Sequence, residues 1–231
     1  MYNVVKIIKL CIIELDTKIF KKLYEVKLEV ICLKTAIDCK AIFDKYNGIM
    51  QTCELTKEGI FYQTLQGLIA DGSVEKIKYG YYQWQDEKAS SEAVIIASLF
   101  PEAIICDMSA AMYYGYTDRV SGVWHIAVDN RTARNKFKLT FPEIKPHFIE
   151  KDRLEIGAGI ATIDDVTVRI YDRERLTCDF LRRMNTVDGE IFNTIIKRYV
   201  ADKEKNPAKL MEYASVLGVE KKARRVIGVW L

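Results

Sequence analysis

Leu65-Gln66-Gly67-Leu68-Ile69-Ala70-Asp71-Gly72-Ser73-Val74-Glu75-Lys76-Ile77-Lys78-Tyr79-Gly80-Tyr81-Tyr82 is the stretch on which the fold reading turns. Leu65, Leu68 and Ile69 recur at three- and four-residue spacing, which puts them on one face of a helix. Asp71-Gly72 stops that helix, because glycine enters the left-handed backbone region without a steric penalty. Val74 to Tyr82 then reads as a strand, a tight turn at Gly80 and a second strand. Working upstream, the helix spans about Phe61 to Ala70, and Gly59 separates it from a short helix near 50–58 anchored by Leu55. Ala36, Ile37, Ala41 and Ile42 predict a further helix that ends at Asn47-Gly48. Three short helices followed by a β-ribbon within roughly 50 residues is the layout of a winged helix-turn-helix. The expectation is such a module over 34–85.

Residues 1–33 form an extension with two adjoining periods. Val5, Ile8, Ile12, Leu15 and Ile19 are spaced as on a helix, whereas Tyr24, Val26, Leu28, Val30 and Cys32 alternate as in a strand. Downstream, the polar run from Gln83 to Ser91 reads as a link. The domain expected over 90–231 begins with a helix near Ser90 or Ser91, carrying Glu92 in its first turn. After Pro101 and the apolar Ala103 to Cys106, Ser109 is placed to cap a short helix over Ala110 to Tyr114, closed by Gly115. Strands are expected at Val123 to Val128, Lys136 to Phe141, His147 to Glu150 and Val166 to Tyr171. The last third is helical: Asn206-Pro207 opens a helix lined by Leu210, Ala214 and Leu217 and stopped by Gly218. A basic helix follows, from about Glu220 to Trp230. The fold class expected is α+β, a winged helix-turn-helix followed by a mixed α/β domain with a helical carboxy-terminal part.

The formal net charge of +3 is too small to indicate a partner by itself. Its distribution is more informative. Residues 34–85 hold six Lys or Arg against six acids, but 195–231 hold nine against four, and a basic segment attracts phosphate or an acidic protein surface. The six cysteines are scattered without a C-x-x-C pair, which reads as reduced, mostly buried thiols. The apolar run Val4 to Ile13 is interrupted by Lys6 and Lys9, and is too short to span a bilayer. A cytoplasmic protein with no membrane association is expected.

Most catalytic signatures are absent: neither G-x-x-x-x-G-K-[ST] nor G-x-G-x-x-G occurs. His125 and His147 have no Cys or His at ligand spacing and read as strand or loop residues, so no metal site, cofactor or catalytic residue is expected. Asp164, Asp165, Asp172, Glu174 and Asp179 lie among Arg169, Arg173 and Arg175. Such a run can hold Mg²⁺, with Asp165 and Asp172 or Glu174 as nuclease ligands. Its arginines favour an ion-pair network that fixes a strand-to-helix corner.

Three segments together resemble the AbiEi antitoxins of bacterial abortive-infection, type IV toxin–antitoxin systems. The first is the stretch quoted above, similar to that family's helix, Gly stop and short wing ending in Gly-x-Tyr. The second is Ile105-Cys106-Asp107-Met108-Ser109-Ala110-Ala111, similar to its apolar strand leading into a Ser-Ala helix start. The third is Val168 to Asp179, similar to its Glu-Arg-Thr…Asp segment, although Leu176 stands between Arg175 and Thr177. The resemblance covers about 36–231. It implies a non-enzymatic antitoxin that represses its own promoter at inverted repeats and counters a nucleotidyltransferase-like toxin.

The residues expected to meet DNA are Lys57, Tyr62, Gln63, Gln66, Lys76, Lys78 and Tyr79. The third helix would enter the major groove, about 12 Å wide, and Lys76 and Lys78 on the ribbon would neutralise phosphates. That helix carries no Arg or Lys, so base reading would fall to Gln63 and Gln66, since Gln pairs with adenine edges. Lys197, Arg198, Lys221, Lys222, Arg224 and Arg225 are expected to form the face that counters the toxin. The alternative is an interaction module that uses the winged helix as a scaffold and binds no DNA.

Overall fold

The computed structural model describes residues 38–85, 91–139 and 141–228, and the chain divides into two units between residues 89 and 90. The extension 1–33, with Cys11 and Cys32, lies outside the described residues, as do Ala36, Ile37 and Trp230.

In the first unit, helix α1 occupies 38–45 and ends in a turn where Asn47 and Gly48 take φ of 55° and 79°. The chain then forms a short strand, β1 (Ile49–Gln51), before helix α2 (Thr52–Lys57). Local periodicity predicts a helix from about 50 and gives no sign of this strand. Ile49 and Met50 are buried because β1 pairs antiparallel with β3 (Tyr81–Trp84), a partner some thirty residues away. The Glu54 carboxylate accepts the Gln51 N–H at 2.7 Å and so opens α2. Gly59 closes the turn after it at φ 80°. Helix α3 (Tyr62–Ala70) buries Leu65 and Leu68 and stops at Asp71-Gly72, where Asp71 Oδ1 accepts the Ser73 N–H at 2.8 Å.

Strand β2 (Val74–Lys78) pairs antiparallel with β3 through a tight turn at Gly80, giving sheet order β1-β3-β2. Phe43, Met50, Leu55, Leu65, Val74 and Trp84 belong to one apolar core, with the Phe43 and Trp84 rings 5.5 Å apart. Gln83 and Trp84 are buried in β3, so the polar link begins after them and not at Gln83.

The second unit is a five-stranded mixed sheet with helices. Ser91 accepts the Val94 N–H and caps helix α4 (Glu92–Leu99). Strand β4 (Ile104–Ile105) lies at the sheet centre and leads into helix α5 (Asp107–Tyr113). Strands β5 (Val123–Asp129) and β6 (Glu143–Ile149) follow, with a 3₁₀ turn at Arg134–Phe137 between them. After the short helix α6 (Lys151–Leu154) come β7 (Ala158–Ile163) and β8 (Val166–Tyr171). The order is β6-β5-β4-β8-β7, with β5/β6 and β4/β8 parallel and the other two pairs antiparallel. Helices α7 (Arg173–Arg182), α8 (Gly189–Ala201), α9 (Pro207–Val216) and α10 (Glu220–Ile227) complete the unit. Leu176, Phe180, Ile195, Leu210, Ala214 and Ile227 are fully buried from these four helices, in one core with Val168 and Ile170 of β8.

Two sequence expectations are corrected here. Among the described residues, Lys136 to Leu139 and Phe141 are not in a strand. Phe137 is a lone apolar anchor packed on Phe100 and Phe148, and the strand begins at Glu143. Ser109 does not cap α5, which starts two residues earlier at Asp107, and its Oγ instead accepts the His125 N–H at 2.9 Å. Strand β7 has no counterpart among the expected strands. Among the described residues, no helix is long and apolar enough to cross a membrane, and Cys39, Cys106 and Cys178 are buried while Cys53 is exposed.

Candidate functional site

In the first unit, the residues expected to meet DNA share two neighbouring segments of chain. Burying Leu65 and Leu68 turns Tyr62, Gln63 and Gln66 of α3 outward, and all three are exposed. Tyr79, at the β2–β3 turn, is 89% exposed, and the Lys76 ammonium lies 5.3 Å from its ring centre. Lys57 is exposed in the last turn of α2 and Lys78 ends β2, half-buried. Phe61, 63% exposed, precedes α3. The exposed side chains of the unit thus include two aromatic rings at the start of α3, two glutamines, and a lysine–tyrosine pair on the ribbon.

Of the six cations expected to face a toxin, Arg198, Lys222, Arg224 and Arg225 are anchored at separate places in the second unit. Arg198 of α8 donates to the Gly115 carbonyl and pairs with Asp118. On α10, Lys222 donates to the Arg182 carbonyl at 2.9 Å, Arg224 pairs with Glu220 at 2.8 Å, and Arg225 reaches the Met184 sulfur. Lys197 and Lys221 are exposed.

The Asp–Arg run around α7 forms an ion-pair network. Asp172 caps α7 by accepting the Arg175 N–H at 2.8 Å, and also pairs with Lys209. Arg173 pairs with Asp202 at 2.9 Å. Arg175 is fully buried: it pairs with Asp179, donates to the carbonyls of Arg153 and Ile156, and stacks its guanidinium 4.2 Å from the Tyr171 ring centre. Glu174 accepts the Asn206 N–H. Asp165 sits in the β7–β8 turn and Asp172 beyond the far end of β8. An extended strand of that length holds them roughly 20 Å apart, so the Asp165–Asp172 metal pair is not assembled.

The structure instead assembles a cluster that sequence spacing does not show. Strand β4 ends at Ile105, and Cys106 continues its ladder by donating to the His125 carbonyl at 3.0 Å. The chain then turns into α5 at Asp107, which takes φ 52°, a region costly for most side chains and visited more readily by Asp. Asp107 is buried beside His125 of β5 and His147 of β6. The parallel register sets Ala127 opposite His147, so the two histidines are near neighbours on one sheet face. His125 Nδ1 lies 3.0 Å from Asp107 Oδ2 and 3.1 Å from His147 Nε2, and His147 Nε2 lies 3.3 Å from the same Oδ2. The rings are stacked, 5.2 Å between centres. Arg183, the residue after α7, binds the other carboxylate oxygen, Oδ1, at 2.6 Å.

Burial works against the Asp107 charge, but hydrogen bonds from His125 and Arg183 outweigh it and hold the carboxyl below the usual carboxylate range. Burial pushes His147 down to about 4 against the pull of Asp107, which leaves its imidazole neutral at pH 7. A cleft of about 180 Å³, lined among others by Cys106, His147, Phe148, Arg182 and Arg183, opens onto Asp107. Asp107, His125 and His147 are the described residues with a geometry able to hold a metal ion. The sequence signal for this cluster is weak. The two histidines fall on separate strands, and only strand order and register place them together.

Compared with models of known protein families and with curated proteins, the chain matches none.

Proposed function

We propose that the chain is a DNA-binding regulator of the antitoxin kind, reading promoter DNA through a winged helix-turn-helix within 38–85. In this reading the second unit, 90–231, is the antitoxin domain that counters a nucleotidyltransferase-like toxin. The observation that carries the DNA reading is the outward face of the first unit. Helix α3, the second of the pair α2 and α3, presents Tyr62, Gln63 and Gln66, and a β-ribbon adds Lys76 and Tyr79. In a winged helix the second helix of such a pair enters the major groove and the ribbon follows the flanking backbone. Aromatic rings with one polar end suit a surface that is partly dry and partly wet.

The test is a gel-shift titration of the full chain against its own upstream DNA, at two salt concentrations with scrambled competitor. Wild type is expected to give a competitor-resistant shift that weakens with salt. The Lys76→Ala/Lys78→Ala variant should weaken binding to all sequences and reduce the salt slope by about 2, one phosphate per lysine. Gln63→Ala/Gln66→Ala should lower discrimination against altered operators, by about 1–3 kcal/mol for each base no longer read. No shift at low salt would defeat the reading.

A second reading is supported by the exposed rings of Phe61, Tyr62 and Tyr79 together with the absence of Lys or Arg from α3. In it, the same face docks a protein partner. Co-purification with a neighbouring gene product through Tyr62 and Tyr79, without an operator shift, would favour it.

A further inference from the structure

We propose that Asp107, His125 and His147 form a binding site for one first-row divalent transition-metal ion of the zinc class. The proposal is independent of the DNA-binding reading, because every residue it uses lies in the second unit.

Hydrogen bonds alone cannot satisfy the cluster. Three atoms, His125 Nδ1, His147 Nε2 and Asp107 Oδ2, form a triangle with sides of 3.0, 3.1 and 3.3 Å. The ionised carboxylate only accepts, and each ring nitrogen either donates or accepts. If both imidazoles donate to Oδ2, two N–H groups confront each other across the N···N side. If one imidazole donates to the other, the accepting nitrogen's lone pair confronts Oδ2, and the reverse tautomer only moves the conflict to the other ring. In each assignment one side sets like against like in a buried place, where an unmatched polar contact is costly. A cation facing all three atoms removes the conflict, because each offers it a lone pair.

Zinc binds imidazole nitrogen and carboxylate oxygen at about 2.0–2.2 Å. An ion about 2.1 Å from all three atoms would stand roughly 1 Å above their plane, with ligand–metal–ligand angles of roughly 90–105°, between octahedral and tetrahedral values. Two imidazoles and one carboxylate are borderline-to-hard ligands, a set that suits zinc, cobalt or iron better than calcium or magnesium.

The surroundings match those of a metal centre. Arg183 holds Oδ1 and leaves Oδ2 to face the histidines, fixing the carboxylate for one-oxygen ligation. Ser109 accepts the His125 backbone N–H and fixes that strand beside the corner. The cleft at Asp107 and His147 provides an access route, with space for further ligands. The three ligands come from the β4–α5 corner, β5 and edge strand β6, so the ion would clip the edge of the sheet to its centre.

The experiment uses the full-length chain, stripped with a chelator and titrated with Co²⁺ and then Zn²⁺. One equivalent of Co²⁺ per chain is expected, with visible d–d absorption that Zn²⁺ abolishes. His147→Gln and His125→Gln/His147→Gln should bind more than about 100-fold more weakly, while Cys53→Ser, which removes an exposed thiol, should bind as wild type. The chain has two histidines, so ¹⁵N imidazole spectra of the unmutated protein report this cluster alone. Zinc should move the resonances of both rings. Absence of Co²⁺ uptake by wild type, uptake unchanged in the histidine variants, or imidazole resonances unmoved by zinc would each overturn the proposal. The spectral arm decides the matter even if a histidine variant fails to fold.

Discussion

In the first unit, the side chains proposed to read DNA come from one short run of chain, and Tyr62, Gln63, Gln66 and Tyr79 all stand in solvent. In the second unit, the charged groups of greatest chemical interest come from separated elements: Asp107, His125 and Arg175 are buried, and His147 and Arg183 are half-buried. The difference bears on what each region can tolerate. A solvated side chain keeps its water when unbound, so replacing it leaves the fold almost untouched. A buried charge has surrendered its water and depends on its partners, so replacing one member leaves another unsatisfied. Function and stability are therefore separable in the first unit and coupled in the second.

Arg175→Met should break this comparison most forcefully if it is wrong. The substitution keeps much of the side chain's bulk but strips Asp179 and two carbonyls of their donor. It should cost about 3–5 kcal/mol of stability, read as a fall in the denaturant midpoint. A loss under about 1 kcal/mol, the scale of an exposed ion pair, would mean that the inward network is not what holds the α7 corner.

Gly157→Ala should cost somewhat less, about 1–3 kcal/mol. Gly157 has φ 74°, and a Cβ there would lie 2.4 Å from the Arg175 Cβ. The same unfolding measurement reads it. Because an alanine at 175 keeps the Cβ that clashes, Gly157→Ala should remain destabilising in an Arg175→Ala background.

Asn206→Ala removes the side-chain oxygen that accepts the Lys209 N–H at 3.1 Å and opens α9. A loss of about 1 kcal/mol is expected, visible as a modest drop in melting temperature with DNA binding unchanged. It tests the second unit at a site where the polar group is exposed and local.

The smallest effect on stability is expected in the first unit. Gln63→Ala/Gln66→Ala should change the unfolding free energy by no more than about 0.5 kcal/mol, even as operator discrimination falls. A large loss of stability there would show that the outward face is part of the core's support, and the contrast between the units would dissolve.

Legibility in the sequence follows the same division. The turns at Asn47-Gly48 and Asp71-Gly72, the helix start near Ser91, the Asn206-Pro207 helix start and the β2–β3 ribbon are all readable from neighbouring residues, and the structure has each of them. The ion pairing around α7 is readable only in part: Arg175 pairs with Asp179 one turn on, whereas Arg173 pairs with Asp202 and Asp172 with Lys209, partners that the fold supplies. Strand β1 escapes the sequence because three residues carry no measurable period, and β7 because its pairing with β8 is decided across a turn. The cluster of Asp107, His125 and His147 escapes it for a different reason. No pair of its members is close in sequence, and each taken singly reads as an ordinary strand or corner residue.

The sequence by itself determined where the chain bends and which faces seek the core. Helix stops, caps, tight turns and apolar periodicity are set by the backbone freedom and side-chain chemistry of a few adjacent residues. Only the tertiary structure decided the sheet order β6-β5-β4-β8-β7, and with it the meeting of one aspartate and two histidines. That meeting depends on strand register, on the left-handed corner at Asp107 and on α7 ending beside it with Arg183. Each of these comes from closing long loops over a shared core, an energy that no local stretch of chain contains.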